Sequence, residues 1–461
     1  MRKLKLKDIT VSSDSSIKNA MHLLDRGGLR LVFVIDEKKL LGIVSDSEIR
    51  KSILKGTSVS ENVKNILNPN PVVLQEIQLN NQYETKMVIR KLIQKMPGST
   101  HILLVDNQKN VKDLINISTL IKENQFPFKK NYQHNKRILV IGGAGFLGCI
   151  LVPKLLKRGY KVRILDNLMY GSSHLSPILA HTNCELLEGD IRNISTLVLA
   201  LSDVDAAINL AAIVGDPACK NDPESAIETN YLANKAVAET CKYFQVNRFI
   251  YASTCSVYGQ MEGNDELNEN SALNPVSLYA KSKIQSEEGI LDLMDENFSP
   301  TILRMGTLYG YSPRMRFDLV ANAMTKTAIS EGKIHVHAGG KQWRPMLSVE
   351  DAAEAYIKCL EAPLEKIRGE IFNVGSEVQN YQILDIAQII KKSFPKAQLI
   401  VEKESFDPRN YLVSFSKIQK ILKFKTKHTI DSTTKQIVKA IKSGEIKNVN
   451  DAKYYNIVID S

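Results

Sequence analysis

No low-complexity tract interrupts this 461-residue chain, and no CxxC pair or Cys–His spacing marks its six cysteines (149, 184, 219, 241, 255 and 359). Thiols scattered in this way argue against a disulfide frame and against a zinc site. They fit a reducing compartment, so the expected location is the cytoplasm. The basic start, MRKLKLKDIT, leads into neither an apolar core nor a cleavage site, as a secretory signal would. The longest apolar stretch, 138–152, is broken by four glycines, so no membrane span is expected. Also missing is the basic–aromatic interleaving of a single-strand nucleic-acid binder. The net charge of +11 instead comes from dispersed lysines, nine of them between Lys417 and Lys447 in a helical, amphipathic pattern. A solvated basic surface accounts for them, and such a surface also attracts doubly negative small molecules. Neither nucleic acid nor membrane is expected as a partner.

What is present is globular: 43% of the residues are hydrophobic and 24% charged, over a length that exceeds one ordinary core. The first 122 residues contain an internal repeat. Segments 31–36, 38–44 and 45–49 read as strand, turn, strand and helix start; 101–106, 110–115 and 116–120 repeat that order about 70 residues later. Amphipathic helices are predicted ahead of each copy, at 17–26 and 83–95, and AsnProAsnPro (68–71) separates the halves. Segment 123–135 is polar, holds a proline and lacks periodicity, so it reads as a linker. From 136 to 461 strands alternate with helices, which predicts a doubly wound parallel α/β sheet, with a smaller lobe mainly from 313 onward.

Residues 137–148, ArgIleLeuValIleGlyGlyAlaGlyPheLeuGly, carry the strongest single signal. Four apolar residues suit a strand buried on both faces. Gly142 and Gly145 let the backbone turn tightly against a phosphate, and Gly148 lets the following helix approach the strand. That helix is predicted over 146–158, with Gly159 as its stop and the amides near Phe146 and Leu147 facing the phosphates. Asp166 ends the next predicted strand (161–165), 18 positions past Gly148, where a carboxylate accepts ribose hydroxyls. Together these predict a dinucleotide site.

Two more elements suggest catalysis. Tyr279 and Lys283 stand four apart on one predicted helical face. An ammonium and a nicotinamide cation nearby would both favour phenolate, lowering a pKa of ~10 and making the tyrosine a base for a sugar hydroxyl. SerThrCysSerValTyrGly (253–259) ends the preceding strand and offers hydroxyls beside it.

With these motifs, 136 to about 440 resembles the extended short-chain dehydrogenase/reductase family, in its nucleotide-sugar epimerase/dehydratase branch. The resemblance implies NAD as cofactor, with Asp166 and Asn167 at the adenosine ribose, Asp190 and Ile191 at the adenine edge, and Leu210, Ala211 and Ala212 along the floor, backed by Asn230. Asp166, with no arginine in the glycine turn, favours NAD over NADP. It further implies Thr254, Tyr279 and Lys283 as the catalytic set and Arg344 and Arg409 as clamps on a substrate diphosphate, chemistry that suits guanidinium forks. The first 122 residues resemble a tandem CBS-domain pair, a module that often senses adenine nucleotides. Where that family grips ribose with Ser or Thr and an Asp three residues on, the copies here offer Ser45 with Glu48, and Asn116 with Thr119. A sensor and a structural or dimerising module are both open readings, and a homodimer is the expected assembly, as is common in both families.

The position two after the catalytic threonine separates members of the branch. In resembling dehydratases and decarboxylases it is Glu, and in 3,5-epimerising enzymes Cys; here it is Ser256, with Cys255 expected to face the other way. A site with only hydroxyls there predicts an NAD-dependent 4-epimerase acting on a nucleoside-diphosphate sugar through a 4-keto intermediate. A 4-keto reductase, dehydrogenase or dehydratase on the same scaffold, and a non-catalytic NAD-bound regulatory protein, are the alternatives. Thr307 stands where the branch usually has a phosphate-side asparagine, Pro345 where an Asp usually follows the clamp arginine, and Ile213 and Val214 where UDP-galactose epimerases often have a lysine. Segment 313–319, where the base is normally held, does not declare which base the carrier bears.

Overall fold

The computed structural model describes residues 6, 9–27, 31–76, 101–116, 136–260, 266–402, 404 and 407–456. The chain divides into two compact units, Met1–Lys130 and Asn131–Ser461.

In the first unit, β1 (Thr10–Val11), β2 (Leu31–Asp36) and β3 (Lys39–Ser45) form one sheet, and β4 (Leu74–Gln75), β5 (His101–Val105) and β6 (Val111–Asn116) form another. In both, the first strand runs parallel to the second and the second antiparallel to the third. Each hairpin also slips register at the same place, between Val34 and Ile35 and between Leu104 and Val105. The repeat read in the sequence is therefore a repeat of topology. Strand alternation divides β2 between two cores: Val32 and Val34 meet the helix Ile17–Gly27, while Leu31 and Phe33 meet Leu103 and Val105 of the other copy. The predicted helix 83–95, Thr119 and the linker 123–135 fall outside the described residues.

The second unit is built on β7 (Arg137–Ile141), β8 (Lys161–Asp166), β9 (Cys184–Glu188), β10 (Ala206–Asn209), β11 (Arg248–Thr254), β12 (Ser299–Met305), β13 (Thr307–Tyr309), β14 (Lys333–Val336), β15 (Trp343–Ser348), β16 (Ile371–Val374), β17 (Asn380–Gln382) and β18 (Gln398–Val401). Seven of these form one sheet in the order β16-β12-β11-β10-β7-β8-β9, and every pairing in it is parallel. Strand order reverses between β7 and β10, and it is at such a switch point that open α/β sheets bind ligands. Both faces are covered: Ile138 and Val140 of β7 enter one core, Leu139 and Ile141 the other. The smaller lobe adds β13-β15-β17, the pair β14-β18, and helices including Val320–Ser330 and Ile430–Lys442 around a core of their own.

The helix after the glycine turn runs Gly148–Lys157, two residues later than the predicted start. Gly145, Phe146 and Leu147 stay in the turn, and the first helical amides have no side-chain cap.

Candidate active site

Nineteen residues carry the site read from the sequence, and all of them border one cavity of about 1020 Å³ at the carboxyl ends of the strands. The cofactor half is set by close backbone approach. Gly142 has φ +77°, and a Cβ there would lie 2.8 Å from the Ala211 amide nitrogen, so the turn after β7 and the loop after β10 leave no room for a side chain. Gly148 serves the same end, since an added Cβ would collide with the Gly143 carbonyl. Asp166 accepts from the Ala144 amide at 2.9 Å and from the Leu168 amide at 2.9 Å, which holds its carboxylate against the glycine turn; burial raises its pKa. Asn167 bonds to Asp190, whose carboxylate also pairs with Arg192 at 2.8 Å, and Ile191 between them in sequence is buried.

Leu210, Ala211 and Ala212 are held from below. Asn209 accepts from the Ala211 amide (3.2 Å), and Asn230 bonds both the amide (2.8 Å) and the carbonyl (2.9 Å) of Ile213. Asn230 lies in a π-helical turn, Glu228–Ala233, and its own carbonyl accepts from the Ser286 hydroxyl and from the Asn234 side chain (3.1 Å). Such turns occur often at functional sites, and nothing in the sequence periodicity announced this one. Uncapped amides, close-packed glycines and a fixed carboxylate fit a dinucleotide.

Tyr279 and Lys283 lie on the helix Leu278–Leu291, capped by Ser277, and both are buried facing the cavity. Lys283 donates to the Ala252 carbonyl (2.8 Å) and to the Tyr251 hydroxyl (3.1 Å). Burial lowers its pKa to about 7, with Glu287 opposing the shift. The expected phenolate depends on two cations, and within the protein itself burial pushes the Tyr279 pKa above its usual range, with neighbouring Cys219 adding to the rise. Lys283 directs its donors to Tyr251 and Ala252; the Arg316 charge opposes the rise, and a bound nicotinamide cation would oppose it further.

Thr254 ends β11 and accepts from the Ser256 amide at 3.1 Å, which leaves its hydroxyl proton free to donate into the cavity. The Ser256 hydroxyl meets that of Tyr411 at 3.3 Å. Cys255 faces the core as expected, its Sγ 3.3 Å from the Arg304 carbonyl, and burial raises its pKa. Beneath these groups Arg304 and Glu287 form a buried fork (2.7 and 3.1 Å), and the Ser253 hydroxyl bonds the same carboxylate.

On the lobe side, Thr307 lies on β13, which pairs with β15 and so with Arg344's strand. Arg344 and Arg409 share Asp407: the first at 2.7 Å, the second at 2.8 and 2.9 Å. Arg409 also reaches Asp216 at 3.0 Å, and Arg344 stacks over Tyr411 with its Cζ 5.4 Å from the ring centre. The sequence indicated the arginines but not that one carboxylate joins them. Asp407 stands two residues before Arg409, and only the folded lobe brings Arg344 to it.

The model of the NAD dependent epimerase/dehydratase family matches residues 138–375, just over half of the 461, and a CBS domain model matches residues 2–55. The chain is 31% identical over 274 residues to the UDP-N-acetyl-alpha-D-glucosaminuronate decarboxylase of Bacillus cytotoxicus, covering 58% of this chain and 83% of that one. It is 30% identical over 274 residues to a dTDP-D-glucose 4,6-dehydratase of Dictyostelium discoideum, covering 55% of this chain and 61% of that protein, less than two thirds of its length. Among solved structures, the UDP-glucuronic acid 4-epimerase from Bacillus cereus, in complex with UDP-glucuronic acid and NAD, aligns with a TM-score of 0.60 at 26% identity, over 67% of this chain and 99% of that one. By their names, these three relatives carry out three different reactions.

Proposed function

This chain belongs to the NAD dependent epimerase/dehydratase family, and we propose that within it the protein is an NAD-dependent 4-epimerase of a nucleoside-diphosphate sugar. The observation that carries the choice is Ser256. Where a dehydratase or decarboxylase of the family would hold a glutamate, this site presents a hydroxyl bonded to Tyr411, and the adjacent thiol of Cys255 is turned into the core. A site equipped in this way moves one hydroxyl proton, and this position supplies no second acid or base to the ring.

NAD, when bound, supplies the hydride acceptor and donor. Asp166 would accept the adenosine ribose hydroxyls, a role that disfavours a 2′-phosphate. Lys283 would turn a donor to the nicotinamide ribose, and Tyr279 would take the 4-hydroxyl proton and return it. Thr254, its acceptor side occupied by the Ser256 amide, would donate to the same oxygen and fix its direction. Arg344 and Arg409 would grip the substrate diphosphate in place of part of their bonding to Asp407. Inversion then requires the 4-keto sugar to turn between the two halves of the cycle while the diphosphate stays held.

A panel of UDP-, GDP-, CDP- and dTDP-sugars followed by NMR tests the reading. We expect inversion at one ring carbon of one substrate and no net absorbance change at ~340 nm, the nicotinamide band. Stoichiometric consumption of NADH would make the protein a reductase, and loss of water from the sugar a dehydratase.

A further inference from the structure

Five arginines line the cavity, and four of them are matched by carboxylates: Arg192 by Asp190, Arg316 by Asp318, Arg344 by Asp407, and Arg409 by Asp407 and Asp216. Arg314 is the fifth. It is only 2% exposed, and among the described residues no carboxylate lies within ion-pair distance of it. One Nη donates to the Asn456 side chain at 2.6 Å and more distantly to the Tyr455 carbonyl at 3.4 Å; the Nε has no hydrogen-bond partner. The guanidinium sits over the Tyr170 ring, with Cζ 3.8 Å from its centre. A buried cation of this kind is costly unless an anion meets it. Consistent with that, burial and the neighbouring Arg316 lower its pKa to about 10.

The surroundings identify the anion. The Ser312 hydroxyl donates to the Phe146 carbonyl at 2.7 Å, which pins this segment to the glycine turn. Tyr170 follows Asp166 on the loop after β8, and Asp166 and His174 both feel the Arg314 charge. All of these belong to the cofactor half, whereas Arg344 and Arg409 stand on the lobe around Asp407. We propose that Arg314 is a second grip on the cofactor pyrophosphate, set opposite the glycine-turn amides, and that with Asn456 it closes the smaller lobe over the bound dinucleotide and slows its release. An adenosine 2′-phosphate is the less suitable anion, because the Asp166 carboxylate is fixed at the ribose by two backbone amides. The inference rests on the dinucleotide site and not on the 4-epimerase reading, so the two stand or fall separately.

The test compares the full-length wild type with Arg314→Gln and Arg314→Lys. NAD carried through purification is measured, and then the affinities of stripped protein for NAD, NADP, UDP, GDP, CDP and dTDP by calorimetry. In Arg314→Gln we expect NAD affinity to fall at least about tenfold and co-purifying NAD to be lost, with the nucleoside diphosphates unaffected. Arg314→Lys, a point charge without the fork, should fall between. NAD retention equal to wild type in either variant overturns the proposal. So does a loss confined to the nucleoside diphosphates, which would make Arg314 a substrate residue, or one confined to NADP. Should the glutamine variant fail to fold, the lysine variant decides by the same measurements.

Discussion

Tyr279 and Lys283 stand one turn apart on the same helix, and the structure gives them different electrostatic fates. Both are buried, yet burial raises the phenol and lowers the ammonium, so neither carries its working charge readily in the protein alone. Replacing Tyr279 with Phe removes the proton acceptor and little volume. We expect turnover to drop by about 10²–10⁴-fold while NAD still co-purifies; activity near wild type would mean that another group takes the proton. Lys283 makes stability depend on pH. Its folded pKa is about 7, against ~10.4 in an unfolded chain, so between these limits the unfolded state binds more protons. Its destabilising charge is fully present below pH 7 and is relieved as pH rises towards 10, so the Lys283 contribution to stability increases over that window. Thermal melts of cofactor-free protein should show this slope in wild type and lose it in Lys283→Met. Identical slopes in the two would contradict the assignment.

Among elements, the helix Leu278–Leu291 is what brings the chemistry together, and Glu287 fastens it. Its carboxylate bonds Arg304 on β12 and Ser253 on β11, so one side chain ties two strand ends to the catalytic helix. Both ions are almost wholly buried (side chains 3% and 4% exposed), and removing one leaves an uncompensated charge. Glu287→Ala should therefore cost about 3–5 kcal/mol of stability, read from the denaturant midpoint. A loss within the surface range of about 0.5 kcal/mol would mean that the pair does not fasten the helix. At this scale the sequence was readable wherever a period or a glycine pattern recorded the fold. The apolar run of β7, the turn at Gly142 and the acid closing β8 all follow from local chemistry. The π-turn at Glu228–Ala233 was not readable, because its extra residue leaves no mark on a helical pattern. Nor was the grouping of Asp407 with Arg344, which lies 63 positions away in sequence and meets it only through the lobe's packing. The helix after the glycine turn begins late for a related reason. Phe146 and Leu147 suit a helix by residue type, but the tight turn at Gly142 keeps them outside it.

For the whole molecule, the question is what the CBS unit adds to the enzyme. Its two sheets share a topology, yet at the first candidate ribose site Glu48 accepts from both the amide and the hydroxyl of Ser45. A ligand there must displace an interaction the protein already makes. If the unit is a sensor, AMP, ADP or ATP should alter turnover of the full chain, and Ser45→Ala should abolish that response without changing turnover in its absence. Turnover indifferent to all three nucleotides would leave a structural module. The basic surface, +11 overall, predicts nothing about this choice, since its lysines are dispersed. The proposed reaction moves one hydrogen, and a substrate deuterated at C-4 of the sugar follows its path most directly. If the protein takes that hydrogen and returns it to the opposite face, NMR will show the epimer with deuterium still at C-4 and none lost to solvent. Deuterium carried to C-6, or a product whose C-4 hydrogen came from added NADH, would contradict it.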